Sequence, residues 1–337
     1  MNIITSLNEN YSIYTYIMLK SLFINNISTD ITVYLLYAEL SKKSIDKLCN
    51  LADEYQNEIN YIEIETSLFP DELRNSPWGI EAYFRLMMFD VLPEIDRAIY
   101  IDADTIVNGS LSTIYTIDFG EKNIYGCKET NHFDDARTDL FGPIFEKNFT
   151  YINSGVMLLN IEALRKKYNF QQYIDVITEI KDIIFAVDQD VINYVHWKEI
   201  GYLEDSFVDN NVYNLVARLA SNNGWNYEKT KREAVIVHYA GFKPWAAEHF
   251  HYDIELLWWD YAKKTKFFDG LCRKFMKETI LNTRPTEVAM HYVEQNNQLR
   301  QENEQLLLRL NESISINRKM INILQNENGK NDIIKIT

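Results

Sequence analysis

Two carboxylates one residue apart, Asp102 and Asp104, follow the apolar run Ala98, Ile99, Tyr100 and Ile101. Oxygen donors this close repel each other unless a cation or water lies between them. At the exposed end of a buried strand they can grip a divalent ion and leave coordination positions open for a diphosphate. The plainer reading is an aspartate-rich turn, and Asp-x-Asp alone often arises by chance. Other candidates have equally plain readings. His238 ends the apolar run Val235, Ile236 and Val237, where a lone histidine is more often structural. Asp188, Gln189 and Asp190 precede "VINYV", and acidic residues suit a helix N-terminus. Arg85 in "AYFRL" reads alone as a surface ion pair.

The elements that must position these side chains alternate along the chain. "MNIIT" and "ITVYLLYA" are short, apolar and β-branched, and read as buried strands with a helix over Tyr11 to Asn25 between them. "SKKSIDKLCNLADEY" places Ile45, Leu48, Cys49 and Ala52 on one helical face, with Ser41 able to cap it. "INYIEIE" alternates as a strand, and "EAYFRLMMFDVLP" reads as a helix stopped by Pro93. Further strands are expected at "NIYGCKE", "GVMLLN", "IGYLE" and "AVIVHYA". This order predicts an α/β domain with a mixed, mainly parallel sheet over residues 1–260. In such sheets ligands bind beyond the carboxyl ends of the strands, where Asp102 and Asp104 would stand.

A net charge of −15 over 337 residues turns the body away from nucleic acid phosphates. No apolar run reaches the roughly 18 residues of a membrane span. Cys49, Cys127 and Cys272 are scattered, and the N-terminus lacks the charged and apolar regions of a secretory signal. Both features predict a reduced, cytoplasmic setting.

The composition changes near the C-terminus. Residues 261–285 open with six basic side chains (Lys263, Lys264, Lys266, Arg273, Lys274 and Lys277) against Asp269 alone. Phe267, Phe268, Phe275 and Met276 are interleaved with them. Such a segment over 261–277 either lies on an anionic membrane surface or packs its phenylalanines on the domain. In residues 286–328, Leu299, Leu306, Ser313 and Met320 lie seven apart, with Asn303, Leu310, Asn317 and Leu324 each four residues further on. This heptad seam predicts a coiled coil and self-association, and residues 329–337 form a tail.

Four stretches, "YIDADTIV", "YINSGVMLLN", "DQDVIN" and "VHYAGFKPW", occur in an order and at separations that together resemble glycosyltransferase family 8. The resemblance covers roughly residues 1–260 and implies a GT-A (Rossmann-like) fold and retaining, metal-dependent transfer of a hexose from a UDP-sugar. It implies that Asp102, Asp104 and His238 hold manganese, with magnesium the second choice, Ala103 lying between the carboxylates. It places Lys243 on the diphosphate, with Gly241 letting the backbone approach. Asn8 and Asn10 fall at the nucleotide end, Arg85 reaches the donor, and Glu129 and Asn153 surround the donor sugar. Asp188 and Gln189 stand beside the sugar hydroxyls and reactive carbon, and Asp190 is the reserve candidate for a covalent role. Asn8 occupies a position where relatives often carry an aspartate that accepts the uracil N3–H, and the run from His238 to Lys243 is one residue shorter than in many relatives.

The expected donor is UDP-glucose or UDP-galactose, and the expected acceptor a glycan, glycolipid or protein at the inner face of the cell membrane. A rival reading from another class is a non-catalytic, oligomeric scaffold that binds a sugar nucleotide or glycan.

Overall fold

Consecutive apolar side chains along a strand point to opposite faces, so an unbroken apolar run requires burial on both sides. The strands follow this rule. Ile3, Val33, Leu35, Ile99, Ile101, Val156 and Leu158 pack on one face of the main sheet. Their neighbours Ile4, Tyr34, Leu36, Tyr100, Met157 and Leu159 pack on the other.

The computed structural model describes residues 1–74, 79–129, 150–181, 186–203, 215–217, 224–247, 251–282, 298, 300–310 and 313. The strands are β1 (Asn2–Ser6), β2 (Thr32–Tyr37), β3 (Glu58–Glu63), β4 (Ala98–Ile101), β5 (Thr105–Val107), β6 (Ile124–Lys128), β7 (Ile152–Leu159), β8 (Ile200–Tyr202), β9 (Leu215–Val216) and β10 (Ile236–His238). Seven form one sheet in the order β3-β2-β1-β4-β7-β6-β8. Strands β3, β2, β1 and β4 run parallel, while β7 runs antiparallel to both β4 and β6. The sheet is therefore mixed and mainly parallel, as expected. Strand order turns back between β1 and β4, so their carboxyl ends, Ser6 and Ile101, open the crevice where such sheets bind ligands.

Helix α1 (Ser12–Asn25) crosses from β1 to β2. Helix α2 (Lys42–Glu54) is capped by Ser41, whose side chain accepts the Ser44 N–H. One local feature differs from the sequence reading. The segment expected as one helix before Pro93 is a 3₁₀ helix, Ile80–Leu86, followed by one α-turn, Met88–Val91. Tyr83 to Phe89 are all buried, so packing on every side rather than one amphipathic face sets the conformation. Asp102 to Asp104 follow the carboxyl end of β4, as expected. They form the turn into β5, which leaves for a second sheet of order β5-β10-β9.

The chain divides into two units, Met1–Lys274 and Phe275–Thr337. In the first unit Phe267 meets Tyr16 edge-on at 5.0 Å and Phe268 faces Trp259 at 6.4 Å, the packing alternative for these two aromatics. A helix spans Phe268–Asn282. In the second unit residues 300–310 are helical, with Leu306 and Leu310 exposed. Leu299, Asn317, Met320 and Leu324 of the expected seam lie outside the described residues, as does the tail 329–337. Among the described residues no helix is long and apolar enough to cross a membrane.

Candidate active site

Strand pairing alone brings two of the sequence candidates together. Strand β10 pairs antiparallel with β5, setting His238 opposite Thr105, next to Asp104. The turn is tied on both sides: Asp102 N–H donates to the Gly155 carbonyl at 2.8 Å, and Tyr239 N–H to the Asp104 carbonyl at 3.0 Å. As a result, ligand atoms of Asp102, Asp104 and His238 all lie within 4.8 Å of one another. His238 Nε2 is 3.2 Å from Asp104 and 3.7 Å from Asp102.

This donor set fits a divalent cation. Asn153 Oδ1 accepts the Gly155 N–H at 3.0 Å, which fixes the amide, and lies 3.1 Å from His238 Nδ1. That oxygen can only accept, so Nδ1 donates to it and Nε2 is the nitrogen turned to the two carboxylates, the one available to a cation. One imidazole nitrogen with two carboxylate oxygens suits manganese better than calcium. Charge points the same way. Three carboxylates, Asp102, Asp104 and Asp188, face two cationic side chains, Arg85 and Lys243.

Burial pushes the Asp104 carboxyl up, but Lys243 and then His238 outweigh it and hold Asp104 well below the ordinary carboxylate range. Lys243 Nζ donates to Asp104 and to the Tyr239 carbonyl. Gly241 between them has φ +83°, a left-handed conformation that favours glycine and bends the loop back toward the cleft.

Arg85 is buried, not a surface residue. Nη1 donates to the Ser154 carbonyl at 2.8 Å, Nη2 to Asp102 at 2.8 Å, and Nε lies 3.0 Å from Asp188. The guanidinium also stands 4.5 Å over the Tyr100 ring. Burial opposes its charge, yet Asp102 and then Asp188 raise its pKa above the ordinary value. Asp188 responds the other way: burial pushes it up to about 6 in spite of Arg85. Arg85 divides its charge between two carboxylates, and Asp188 is the more deeply buried of them.

The helix Val187–His196 carries Asp188, Gln189 and Asp190. Buried Asn193 locks it to β7, with Oδ1 accepting the Ile152 N–H and Nδ2 donating to the Ile152 carbonyl, both at 2.9 Å. Gln189 Nε2 donates to Glu129 at 2.7 Å while its Oε1 accepts the Ser154 N–H at 3.0 Å. A bulge between Gly126 and Cys127 shifts β6 against β7 just before Glu129. Asp190 is turned inward: Tyr151 OH donates to one oxygen at 2.5 Å and the Ala186 N–H to the other at 2.6 Å.

A cleft of about 290 Å³ runs past these groups. Of the expected residues, Asn8, Arg85, Asp102, Ala103, Asp104, Asn153, Asp188, Gln189, His238, Gly241 and Lys243 line it. Asn10 is exposed on the 3₁₀ turn Glu9–Tyr11, and Glu129 stands behind Gln189. The sequence reading missed Tyr11, Glu81 and Ser154, which also line the cleft. It also missed Gly155, where a Cβ would lie 2.2 Å from the His238 ring and 2.6 Å from Asp102. A glycine inside a strand of bulky residues was the signal for that close approach.

The family model for glycosyl transferase family 8 matches residues 2–249. A lipopolysaccharide 1,2-glucosyltransferase of Escherichia coli is 26% identical over 252 residues, which is 72% of this chain and 73% of that protein. General stress protein A of Bacillus subtilis (strain 168) is 24% identical over 272 residues, 75% of this chain and 92% of that one. The galactosyltransferase LgtC, solved in complex with donor and acceptor sugar analogues, superposes with a TM-score of 0.66 over 80% of this chain and all of LgtC. At 20% identity that likeness carries the fold, GT-A. The family match covers most of the chain, including the whole cleft, and the chain belongs to glycosyltransferase family 8.

Proposed function

We propose that this glycosyltransferase moves glucose or galactose from a UDP-sugar, with retention of configuration, to a glycan, glycolipid or protein acceptor. The observation that supports this most is the convergence of Asp102, Asp104 and His238 within one cleft that also holds Lys243, Asp188 and Gln189. Asp102, Asp104 and His238 would hold manganese or magnesium. When bound, the ion supplies Lewis-acid stabilisation of the diphosphate charge that develops as the anomeric C–O bond breaks. Lys243, released from Asp104, adds a cationic partner for that departing group.

Arg85 orients Asp188, whose carboxylate accepts hydrogen bonds from the sugar hydroxyls. Gln189 presents a neutral amide, a poor nucleophile, near the reactive carbon. Asp190 has both oxygens engaged in holding its helix, so we assign it a structural role. With a neutral amide rather than a carboxylate at that place, the reading is front-face transfer. The departing phosphate then takes the acceptor proton. Exposed Leu306 and Leu310, four apart on a helix, support self-association through the heptad seam. The basic face of 261–277 would bring the oligomer to an anionic membrane surface on the cytoplasmic side, where a glycolipid acceptor lies.

Calorimetric titration of UDP with and without manganese tests the donor reading. Binding that depends on manganese is expected, and identical binding in a chelator contradicts the role given to the two aspartates.

A further inference from the structure

We infer that Glu81, acting with Asn8, selects the nucleobase of the donor; this rests on the nucleotide-sugar reading above and adds a determinant to it. Both residues line the cleft beside Tyr11. The Asn8 amide is held in one orientation. Its Oδ1 accepts the Tyr11 backbone N–H at 3.2 Å, and its Nδ2 donates to Glu81 Oε2 at 3.3 Å. A backbone N–H only donates and a carboxylate only accepts, so these partners fix which end of the amide is which.

The Asn8 carbonyl therefore caps the turn Glu9–Tyr11 and is not the acceptor a pyrimidine imide N–H needs. That acceptor is Glu81. Its Oε1 has no hydrogen-bond partner among the described residues, and the side chain is only half-buried. Glu81 and Asn8 together offer the cleft a carboxylate acceptor beside an amide N–H donor. The complement is a ring –CO–NH– edge: N–H to Glu81, carbonyl to Asn8 Nδ2. Uracil carries this edge at N3–H, and guanine carries it on a larger ring. Cytosine held in the same pose presents an unprotonated N3 to Glu81, which would set two acceptors against each other, and it could pair its amino group there only by sliding along the cleft.

A hydrogen bond to a charged acceptor is worth roughly ten- to hundredfold in affinity when desolvated. The test is calorimetric binding of UDP, 3-methyl-UDP and CDP, with manganese present, to the wild-type protein, Glu81→Gln and Glu81→Ala. Thermal unfolding of each variant confirms that it folds. Wild type should prefer UDP over both other nucleotides by roughly tenfold or more. Both variants should lose most of that preference, chiefly by weaker UDP binding, while 3-methyl-UDP is little changed. Variants that keep the wild-type UDP/CDP ratio overturn the role of Glu81 and leave the donor reading standing. A wild-type protein that binds none of the three overturns the donor reading, and this inference with it.

Discussion

Arg85 Nε lies 3.0 Å from the Asp188 carboxylate, and both side chains are buried. The pair ties the 3₁₀ segment to the helix Val187–His196, and through Asp102 it reaches the cation site. It is also under tension, because burial pushes Asp188 up to about 6.

That tension has a sign. The folded value lies above the unfolded one of about 3.9, so the folded protein binds the proton more tightly. The stabilising effect is fully present below about pH 4 and is lost as pH rises through about 6. Buried His196, whose pKa burial lowers, trends the opposite way, so a difference measurement is needed. In a chelator, the stability of wild type relative to Asp188→Asn should grow by roughly 2 kcal/mol between pH 7.5 and 4. Urea unfolding at several pH values checks this, and a difference independent of pH contradicts it.

Glu129 holds the Gln189 amide nitrogen, so it acts on the reaction through Gln189. Glu129→Ala should lower kcat by roughly ten- to hundredfold while UDP affinity stays near wild type. Equal loss in kcat and UDP affinity would show that Glu129 shapes the donor site as a whole.

Gly155 leaves room for the His238 ring and Asp102. Gly155→Ala should force them apart, weaken manganese binding, and destabilise the fold by roughly 1–3 kcal/mol. Manganese titration followed by electron paramagnetic resonance reads the first effect directly. Unchanged affinity would mean that the ligands tolerate the displacement.

Leu306 and Leu310 are exposed apolar members of the expected seam. Leu306→Asp combined with Leu310→Asp should convert an oligomer to a monomer in light scattering, leaving UDP release intact. A wild-type chain that is already monomeric contradicts self-association.

The parts of this fold legible in the sequence are those set by local pattern. Buried strands such as Thr32–Tyr37 announce themselves by unbroken apolar runs, and α2 by its one apolar face and serine cap. Asp102 and Asp104 were legible because two acids after a buried strand break that pattern. What escaped depends on contacts remote in sequence. Asn8 meets Glu81 across 73 positions, and Arg85 meets Ser154 across 69. Strand β5 has three residues and exists because β10 pairs with it. The 3₁₀ form of Ile80–Leu86 likewise follows from burial on every side, which no amphipathic period records.

The most direct measurement is acceptor-free UDP release from UDP-glucose and UDP-galactose by the wild-type protein and Asp104→Ala, with manganese present. Slow release from one of the two sugars, abolished by a chelator and by Asp104→Ala, is the predicted result. Release that persists unchanged in Asp104→Ala, or none from either sugar with wild type, would contradict a donor site built on Asp102, Asp104 and His238.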